Sequence, residues 1–456
     1  MAAGKGTRMK SGRPKVLHRL AGRALVQHVI GTAGVLGARQ VVVITGHGAA
    51  EVEAALTLSA GAGAVPAFVR QEPQLGTGHA VQQAVPVLPD DGIALILNGD
   101  VPLVQAATLQ QLVDQCGGER LALLSVDMAD PTGYGRVVRD AGAVQAIVEH
   151  KDATDEQRLI AEIYTGFMAL PNRLLKRWLG RLTNQNAQGE YYLTDLVKLA
   201  VADGAVVVAV KAADAVEVEG VNSPLQLAQL ERAFQLRQAR ALMEQGVRLA
   251  DPARFDLRGS LVCGQDVDID VNCVFAGHVR LGTGVSIGAN CVISDATIAA
   301  GAVIHPFTHI EGGSGGVAVG EGALVGPFAR LRPGTSLGAD VHIGNFVEVK
   351  NSTLARGAKA NHLAYLGDAT VGERVNYGAG SITANYDGAN KHRTVIEDDV
   401  HIGSNCVLVA PVVIGRGGTV GGGSTITKDT APGALSVARG KQVSIPGWSR
   451  PKKADK

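Results

Sequence analysis

An aliphatic residue returns about every six positions between Val267 and Asp429, and a glycine often follows it. Leu281-Gly282 shows the period near its start, and Val420-Gly421 shows it near its end. Six residues accommodate one short strand and one corner, so each hexad should form one flat face of a prism with its aliphatic side chain inside. We expect the glycines at the corners because corners need a positive φ. The repeat predicts a β-solenoid rather than a set of irregular strands.

Short apolar runs alternate with amphipathic stretches in the N-terminal half, which indicates an α/β domain with a mostly parallel, Rossmann-like sheet. The runs are residues 41–44, 94–97, 121–124 and 206–208. Ser223-Pro224 then supplies a helix cap and a first helical residue, so a connecting helix of roughly 33 Å should follow at 1.5 Å per residue. We therefore expect three parts, at residues 1–222, 223–247 and 248–456.

The length of 456 residues suits two or three domains. A net charge of +1 gives no electrostatic footprint for nucleic acid or for an anionic membrane, so any phosphate binding must be local. No apolar run approaches the roughly 20 residues of a membrane span, and the N-terminus lacks the hydrophobic segment of a signal peptide, so we expect neither feature. Its five cysteines lack CxxC spacing, which favours buried free thiols and a cytoplasmic protein.

The opening segment is a candidate phosphate-binding loop. Gly4 and Gly6 allow backbone N–H groups to approach an anion, and Lys5, Arg8 and Lys15 supply positive charge. The segment matches neither the Walker pattern nor G-x-G-x-x-G. Taken alone, an exposed basic N-terminus is the simpler interpretation.

Asp100 directly follows a strand of buried type, and ligands bind at the carboxyl ends of parallel strands. It could hold a hard cation against the phosphates of a nucleotide, or it could simply end the strand in a turn. Gln71 and the turn at 75–79 precede a predicted helix. The polar segments 133–136, 149–151 and 217–222 are equally open to either interpretation when each is taken alone.

Six segments taken together are specific: A-A-G-K-G-T-R-M, L-G-T-G-H-A, N-G-D-V-P-L, P-T-G-Y-G-R, V-E-H-K-D-A and V-E-G-V-N-S, in this order. They resemble the sugar-1-phosphate nucleotidyltransferases. With the solenoid, nearly the whole chain resembles the bacterial bifunctional N-acetylglucosamine-1-phosphate uridylyltransferase and glucosamine-1-phosphate acetyltransferase family. The resemblance implies a nucleotidyltransferase domain followed by a left-handed parallel β-helix of hexapeptide repeats.

The family's activity implies acetyl transfer from acetyl-CoA to glucosamine 1-phosphate. Uridylyl transfer from UTP to N-acetylglucosamine 1-phosphate would follow, with release of pyrophosphate. By the resemblance, Mg²⁺ is bound by Asp100 and Asn222. The implied nucleotide and sugar contacts are Ala2, Gly4, Lys5, Arg8, Lys15, Gln71, Gly76, Thr77, Asp100, Gly135, Glu149, Tyr164 and Asn222. Tyr164 stands where the family has Asn, which leaves that sugar contact open.

Two segments interrupt the hexads, and insertions into repeat coils collect on binding faces. Residues 312–316 carry only glycine and serine, so we expect a flexible excursion there. Residues 377–397 carry polar groups suited to a site. His362 is the best candidate for a general base, because an amine must lose a proton to attack a thioester. A histidine taken alone is more often structural or on the surface.

The segment K-A-N-H-L-A-Y-L-G-D resembles the family's segment around its catalytic histidine and so favours His362. By the resemblance, glucosamine 1-phosphate is held by Arg332, Lys350, Tyr365, Asn376 and Lys391. Acetyl-CoA contacts are Ala379, Asn385, Tyr386, Ser404, Gly422 and Arg439, with Asn385 also orienting groups near the base. Gly422 stands where the family has Ala. The family is a homotrimer whose acetyltransfer site is shared between chains.

Two other interpretations remain open: a nucleotidyltransferase whose solenoid only forms oligomers, and an acetyltransferase whose uridylyl domain is impaired. The impaired uridylyl domain is considered because a phosphate loop normally follows directly on a buried strand, whereas this loop starts at Met1. We expect that an apolar first strand is missing, either through a misplaced start codon or in a truly shortened chain. We then expect a loosened N-terminal domain with poor uridylyl transfer.

Overall fold

The computed structural model describes residues 1–59 and 65–451 and divides into two compact units. The first runs from Met1 to Phe234 and the second from Gln235 to Lys456. The division falls inside one long helix, within the segment predicted to connect the domains. The boundaries at residues 222 and 248 stay predictions. No helix in the described ranges is long and apolar enough to cross a membrane.

The first unit alternates strands and helices. In chain order its elements are β1 Arg19–Leu20, β2 Arg23–Ala24, α1 Leu25–Val35, β3 Val42–Thr45, α2 Ala49–Ser59, β4 Ala67–Arg70, α3 Thr77–Gln82, β5 Ile93–Ile96, α4 Ala106–Cys116, β6 Leu121–Asp127, β7 Arg136–Asp140, β8 Ala143–Val148, α5 Asp155–Arg158, β9 Glu162–Pro171, α6 Asn172–Leu179, α7 Asp195–Ala202 and β10 Val207–Lys211. Helix α8, Pro224–Glu244, spans the division between the units. The Ser223 hydroxyl caps it by accepting from the Gln226 N–H at 3.2 Å.

The main sheet has the order β10-β6-β9-β7-β8. Strand β5 lies off this path and pairs with the C-terminal part of β9. Strands β6 and β10 are parallel, as are β3 and β4. Strand β9 is antiparallel to β5, β6 and β7, and β7 and β8 form a hairpin. The sheet is therefore mixed, because β9 and the hairpin join a framework of parallel strands.

Strands β3 and β5 do not pair with each other, and Met1 and Ala2 lie between their carboxyl ends. The Met1 amino group donates to the Leu97 carbonyl at 2.7 Å, and the Ala2 N–H donates to the Ile44 carbonyl at 2.8 Å. On the amino side of Met1 lies an apolar cavity of about 480 Å³. Among the described residues, no strand fills the space between β3 and β5.

The second unit is a parallel β-helix, as predicted. Its strands are β11 Arg248–Leu249, β12 Phe255–Cys263, β13 Asp268–Ile269, β14 Cys273–Leu281, β15 Ser286–Ile287, β16 Val292–Ile298, β17 Val303–Ile304, β18 His309–Glu311, β19 Val317–Val319, β20 Leu324–Val325, β21 Arg330–Leu331, β22 Thr335–Leu337, β23 His342–Asn345, β24 Glu348–Lys350, β25 Thr353–Leu354, β26 Lys359–His362, β27 Tyr365–Gly367, β28 Ala369–Val371, β29 Asn376–Tyr377, β30 Ile382–Ala384, β31 Thr394–Ile396, β32 His401–Ile402, β33 Val407–Val409, β34 Val412–Ile414, β35 Thr419–Val420, β36 Thr425–Ile426 and β37 Leu435–Ser436. The first of these strands, β11, begins at Arg248.

Three faces make up each coil. One is an eleven-stranded sheet from β11 to β37, and the other two diverge from β16, which pairs with both β18 and β19. An ordinary coil advances by 18 residues, as from Leu324 to His342 (342 − 324). The step from Val303 to Leu324 takes 21 residues (324 − 303), and that from Asn376 to His401 takes 25 (401 − 376). These longer steps contain the two predicted interruptions, and residues Gly313–Gly315 form a short 3-10 turn in the first.

The glycines after the aliphatic positions have a different role from the one expected. Gly320 and Gly344 are absent from the positive-φ glycines of the chain. A Cβ on Gly344 would lie 1.9 Å from the Asn361 carbonyl oxygen, and one on Gly320 would lie 2.4 Å from the Gly338 carbonyl carbon. The prediction of positive φ was therefore wrong at these positions. Glycine is needed there because the next coil's backbone approaches too closely for a side chain.

The five cysteines are free, as predicted, and four are buried. Burial raises the pKa of Cys273 to about 11 and that of Cys291 to about 12. Cys263 is half-buried, and burial raises its pKa to about 11. These thiols are therefore part of the core and are poor nucleophiles near neutral pH.

Candidate functional site

Lys15, Asp100 and Asn222 meet at the carboxyl end of β5. The Lys15 ammonium forms a short ion pair with Asp100 and donates to Asn222 Oδ1 at 3.1 Å. The Val221 N–H donates to the Asp100 carbonyl at 2.9 Å, which ties the 220–222 segment to the strand end. Two oxygen ligands from distant parts of the sequence therefore converge on one positive group.

This donor set fits a hard cation. Mg²⁺ is commonly held by one or two carboxylate or amide oxygens, with water and substrate phosphates completing an octahedron. No cluster of three or more His, Cys, Asp or Glu side chains in residues 1–59 and 65–451 could hold a metal by itself. Water and phosphate oxygens would therefore complete the shell around Asp100 and Asn222.

The N-terminal loop lies beside this group. Gly6 has a φ of 58°, and a Cβ there would lie 2.6 Å from the Lys15 Cβ. Glycine at this position therefore lets the loop close onto Lys15. Lys5 and Arg8 are exposed, and a Cβ on Gly4 would meet nothing within 4 Å, so this side of the loop is open to a ligand.

Gln71, Gly76 and Thr77 form a second group, which is braced by residues 191–193. The buried Gln71 side chain donates to the Gly76 carbonyl at 2.8 Å, and the Thr77 hydroxyl accepts from the Leu193 N–H at 3.0 Å. Gly76 has a φ of 108°, and a Cβ there would lie 2.6 Å from the Tyr191 carbonyl oxygen. Sequence reasoning missed this bracing segment. Its only signal is a run of polar residues before helix α7.

Glu149 is held by the residue that follows this bracing segment. The hydroxyl of Thr194, next to Leu193, donates to Glu149 Oε1 at 3.0 Å. Burial raises the pKa of Glu149, and nearby carboxylates add to the effect of burial. The Gly135 carbonyl accepts from the Tyr164 N–H at 2.8 Å, so Gly135 and Tyr164 are adjacent through their backbones. These residues border the second group.

Tyr164 packs into the hydrophobic core with 8% of its surface exposed. Its hydroxyl has no hydrogen-bond partner among the described residues, and burial raises its pKa well above the usual range. The ring therefore acts as a core side chain at the position where an Asn was expected. Within residues 1–59 and 65–451, the Tyr164 side chain makes no hydrogen bond that would replace those of an Asn amide.

His362 ends strand β26 on the exposed surface of the β-helix. Its Nδ1 lies 2.9 Å from Asn345 Oδ1, which belongs to the preceding coil. An amide oxygen only accepts hydrogen bonds, so Nδ1 must carry the proton and Nε2 of the neutral ring is left free to accept one. Asn345 was not singled out from the sequence, and only the register between coils places it beside the histidine.

Arg332, Lys350 and Lys391 form a group of cations on a different face. The pairing of Leu331 with Val349 places Arg332 and Lys350 on consecutive coils. A hydrogen bond with Lys391 lowers the pKa of Lys350, and burial and the charge of Arg332 lower it further. The group therefore concentrates positive charge locally on a chain of nearly neutral net charge.

Asp368 lies beneath these cations and holds an amide in place. Its carboxylate accepts from Asn351 Nδ2 at 2.5 Å and, through a shorter bond, from Asn385, and Lys350 Nζ lies 3.8 Å away. Burial raises the pKa of Asp368, but the two amide bonds and the lysine charges outweigh it, so the pKa is lowered. Sequence reasoning did not select Asp368, although it ends the segment quoted around His362.

The second interruption folds as a small hairpin that presents Lys391. Tyr386 and Lys391 form an antiparallel bridge, and the Tyr386 hydroxyl donates to the Gly388 carbonyl at 2.6 Å. His392 Nε2 lies 2.6 Å from Asp387 Oδ2 and closes the hairpin. The inserted residues therefore have a defined structure that directs a lysine toward Lys350.

The predicted acetyl-CoA residues Ala379, Ser404 and Gly422 follow one another on successive coils. The Asn405 N–H donates to the Ala379 carbonyl at 2.8 Å. Arg439 Nη1 donates to the Gly422 carbonyl at 2.7 Å. A Cβ on Gly422 would lie 3.4 Å from the Ser404 carbonyl oxygen, so an alanine would also fit there.

The remaining sugar-phosphate residues divide between two faces. Tyr365 pairs with Glu348, which accepts from Arg332 at 2.8 Å, so Tyr365 belongs with the cations. Asn376 lies in β29 on the same sheet as His362. In the described part of the chain, no hydrogen bond joins His362 to the cation group.

Comparison with known proteins agrees with both units. The MobA-like NTP transferase domain family matches residues 1–165, and the bacterial transferase hexapeptide family (six repeats) matches residues 393–428. The chain is 74% identical to the bifunctional protein GlmU of Albidiferax ferrireducens, with 99% of each chain covered. It is 74% identical to that of Polaromonas naphthalenivorans, covering 99% and 97%, and 57% identical to that of an Azoarcus species, covering 99% and 98%.

Proposed function

This chain belongs to the family of bifunctional GlmU proteins, and from that membership we propose how its residues serve two reactions. The protein is a bifunctional transferase of UDP-N-acetylglucosamine synthesis, with an acetyltransferase and a uridylyltransferase activity. Its substrates are a sugar phosphate, a nucleotide and acetyl-CoA. The roles given below to individual residues are our proposal.

In the β-helix, His362 is the general base of acetyl transfer. Asn345 holds its Nδ1, so Nε2 can take the proton from the amine of glucosamine 1-phosphate as the amine attacks the thioester carbonyl. Arg332, Lys350 and Lys391 bind the phosphate. The proposal is supported by the convergence of these cations, because Lys391 and Arg332 lie near enough to Lys350 to lower its pKa.

In the first unit, a phosphate oxygen of N-acetylglucosamine 1-phosphate attacks the α-phosphorus of UTP and pyrophosphate leaves. No covalent protein nucleophile is needed, so positioning and charge neutralisation lower the barrier. Asp100 and Asn222 would hold Mg²⁺, which neutralises phosphate charge when it is bound. Lys15, Lys5 and Arg8 complete a cationic clamp, and the braced group of Gln71, Gly76 and Thr77 holds the nucleotide.

We further propose a cytoplasmic homotrimer. A coil with three flat faces suits threefold packing, and the separation of His362 from the cation group supports a site completed by a neighbouring chain. The five free thiols fit a reducing compartment. Sedimentation of the purified chain would test the trimer, and a monomer that retains acetyl transfer would contradict it.

The convergence of Lys15, Asp100 and Asn222 in one unit, together with the cation group in the other, carries the proposal of two sites. Both activities should be measured on the purified chain. Free thiol release from acetyl-CoA should depend on glucosamine 1-phosphate, and pyrophosphate release from UTP should depend on N-acetylglucosamine 1-phosphate. Absence of the first activity would leave the β-helix as an oligomerising module only.

A further inference from the structure

The inserted hairpin of residues 385–393 carries proposed contacts to both substrates of acetyl transfer. Its first arm holds Asn385 and Tyr386, which we assign to acetyl-CoA, and its second arm holds Lys391, which we assign to the sugar phosphate. The base of the first arm is fixed to the preceding coil, because the Asn385 amide donates to Asp368. The position of Lys391 therefore depends on what joins the second arm to the first.

The backbone alone joins the two arms weakly. Tyr386 and Lys391 form an isolated antiparallel bridge, and the His392 N–H donates to the Asn385 carbonyl at 2.8 Å. A two-stranded hairpin of this size is at best marginally stable in water. Side-chain contacts therefore decide whether the second arm keeps its place.

The Asp387 carboxylate supplies these contacts with both of its oxygens. Oδ1 accepts from the Asn390 N–H at 2.7 Å and from the Ala389 N–H at 2.8 Å, which closes the turn. Oδ2 lies 2.6 Å from His392 Nε2 on the second arm, and this nitrogen must donate because a carboxylate only accepts. The bonds from Asn390 and His392 hold the pKa of Asp387 below its usual range, so the carboxylate stays ionised and is a strong acceptor.

Lys391 needs such a contact because the hairpin directs it toward another cation. A hydrogen bond with Lys391 lowers the pKa of Lys350, and burial and the charges of Lys391 and Arg332 lower it further. Asp368 acts in the opposite direction but does not restore the usual pKa. The charge of Lys391 therefore resists its approach to Lys350. His392, the next residue along the chain, is the one that Asp387 holds.

We propose that Asp387, acting through His392, is a positioning residue for acetyl transfer that holds Lys391 ready for the phosphate of glucosamine 1-phosphate. The inference rests on the proposed function of Lys391. An arm that is already in its binding conformation loses less conformational entropy when the phosphate binds. The contact to the phosphate is the same before and during the reaction, so its loss should raise KM and leave kcat nearly unchanged.

Both partners can be replaced without disturbing the core, because 44% of the Asp387 side chain and 34% of the His392 side chain are exposed. Asp387→Ser keeps one oxygen for the turn but has none for His392, so it releases the second arm and retains the turn. His392→Leu releases the same arm from the other side. Asp251→Ser is the matched control, because Asp251 makes the same pair of contacts at the start of the β-helix, to the Ala253 N–H at 2.9 Å and to Arg254 Nε at 2.8 Å.

The experiment measures kcat and the KM of each substrate for the full chain, the two single variants, the double variant and the control. Each single variant should raise KM for glucosamine 1-phosphate by about five- to tenfold, the effect of losing one exposed charge-assisted hydrogen bond. The values of kcat and of KM for acetyl-CoA should stay within about twofold. The double variant should match the single variants, because either change breaks the same contact. Inorganic phosphate as a competitive inhibitor should weaken by the same factor, and the control should behave as the unmodified chain.

An unchanged KM for glucosamine 1-phosphate in either single variant would overturn the proposal. Additive effects in the double variant would also overturn it, because the two side chains would then act separately. An equal rise in both KM values would overturn it too, since Asp387 would then only maintain the hairpin as a whole. Lys391→Ala separates this inference from the proposed function. If that change leaves KM for glucosamine 1-phosphate unaltered, the phosphate role of Lys391 is wrong, whereas a rise in Lys391→Ala without one in Asp387→Ser contradicts the positioning role alone.

Discussion

At the scale of single residues, the His362 ring has one nitrogen fixed and the other free. Replacing His362 with alanine should lower acetyl transfer by about 10²–10⁴-fold, the usual contribution of a general base. Uridylyl transfer should stay near that of the unmodified chain, because His362 lies in the other unit. Steady-state assays of both activities on the same preparation check this prediction. Unchanged acetyl transfer would remove His362 from the reaction.

Replacing Asp100 with alanine should have the opposite effect. The change removes the only carboxylate of the Lys15 group and with it charge neutralisation of the phosphates, so uridylyl transfer should fall at least about 10²-fold. Acetyl transfer should survive. The measurement is the Mg²⁺ dependence of pyrophosphate release, and Asp91→Ala on an exposed loop is the matched control. An unchanged Mg²⁺ dependence would make Asp100 a turn residue.

The sequence identified the types of residue at the sites better than the reasons for their positions. It indicated glycine after many of the aliphatic positions, but for the wrong cause, since Gly344 is required by the approach of Asn361 from the next coil. Asn345 and Asp368 were missed for the same reason. Each acts through a contact about one coil distant in sequence, and a single sequence does not show what lies one coil above.

At the scale of elements, stacking of β21 and β24 places Arg332 beside Lys350, and the hairpin adds Lys391. Because its pKa is lowered from the usual 10.5, Lys350 loses its proton before an ordinary lysine as pH rises. Binding of glucosamine 1-phosphate should therefore weaken at a pH below 10.5. Lys350→Arg should remove this weakening of binding, because the guanidinium group stays protonated. Calorimetric titrations across alkaline pH compare the unmodified chain with Lys350→Arg. Identical pH dependence of their affinities for glucosamine 1-phosphate would contradict the prediction.

The apolar runs correctly located β3, β5, β6 and β10, because strands covered on both faces are apolar throughout. They did not reveal β9, which is ten residues long and mostly buried. Its sequence contains a glycine, a threonine and a tyrosine among the apolar residues, so no uniform run marks it. Strand direction was also beyond the pattern, which explains why the antiparallel pairings were not expected.

At the scale of the whole molecule, each hydrophobic cluster lies within one unit. The large cluster of the β-helix begins at Ala239, and the other four end at or before Phe234. We therefore expect two unfolding transitions in calorimetry. UTP with Mg²⁺ should raise the unfolding temperature of the first unit only, by an amount set by the ratio of ligand concentration to Kd. A single unfolding transition whose temperature rises when UTP with Mg²⁺ is added would show that the units unfold together.

The buried thiols affect how the enzyme can be assayed. A disulfide reagent that reports free thiols by colour reacts with thiolates, and Cys273 and Cys291 are both shielded and protonated at the pH of such a test. The native enzyme should therefore contribute little background while coenzyme A is released. After denaturation the same reagent should count five thiols per chain, so one cuvette can report turnover first and the concentration of folded enzyme afterwards.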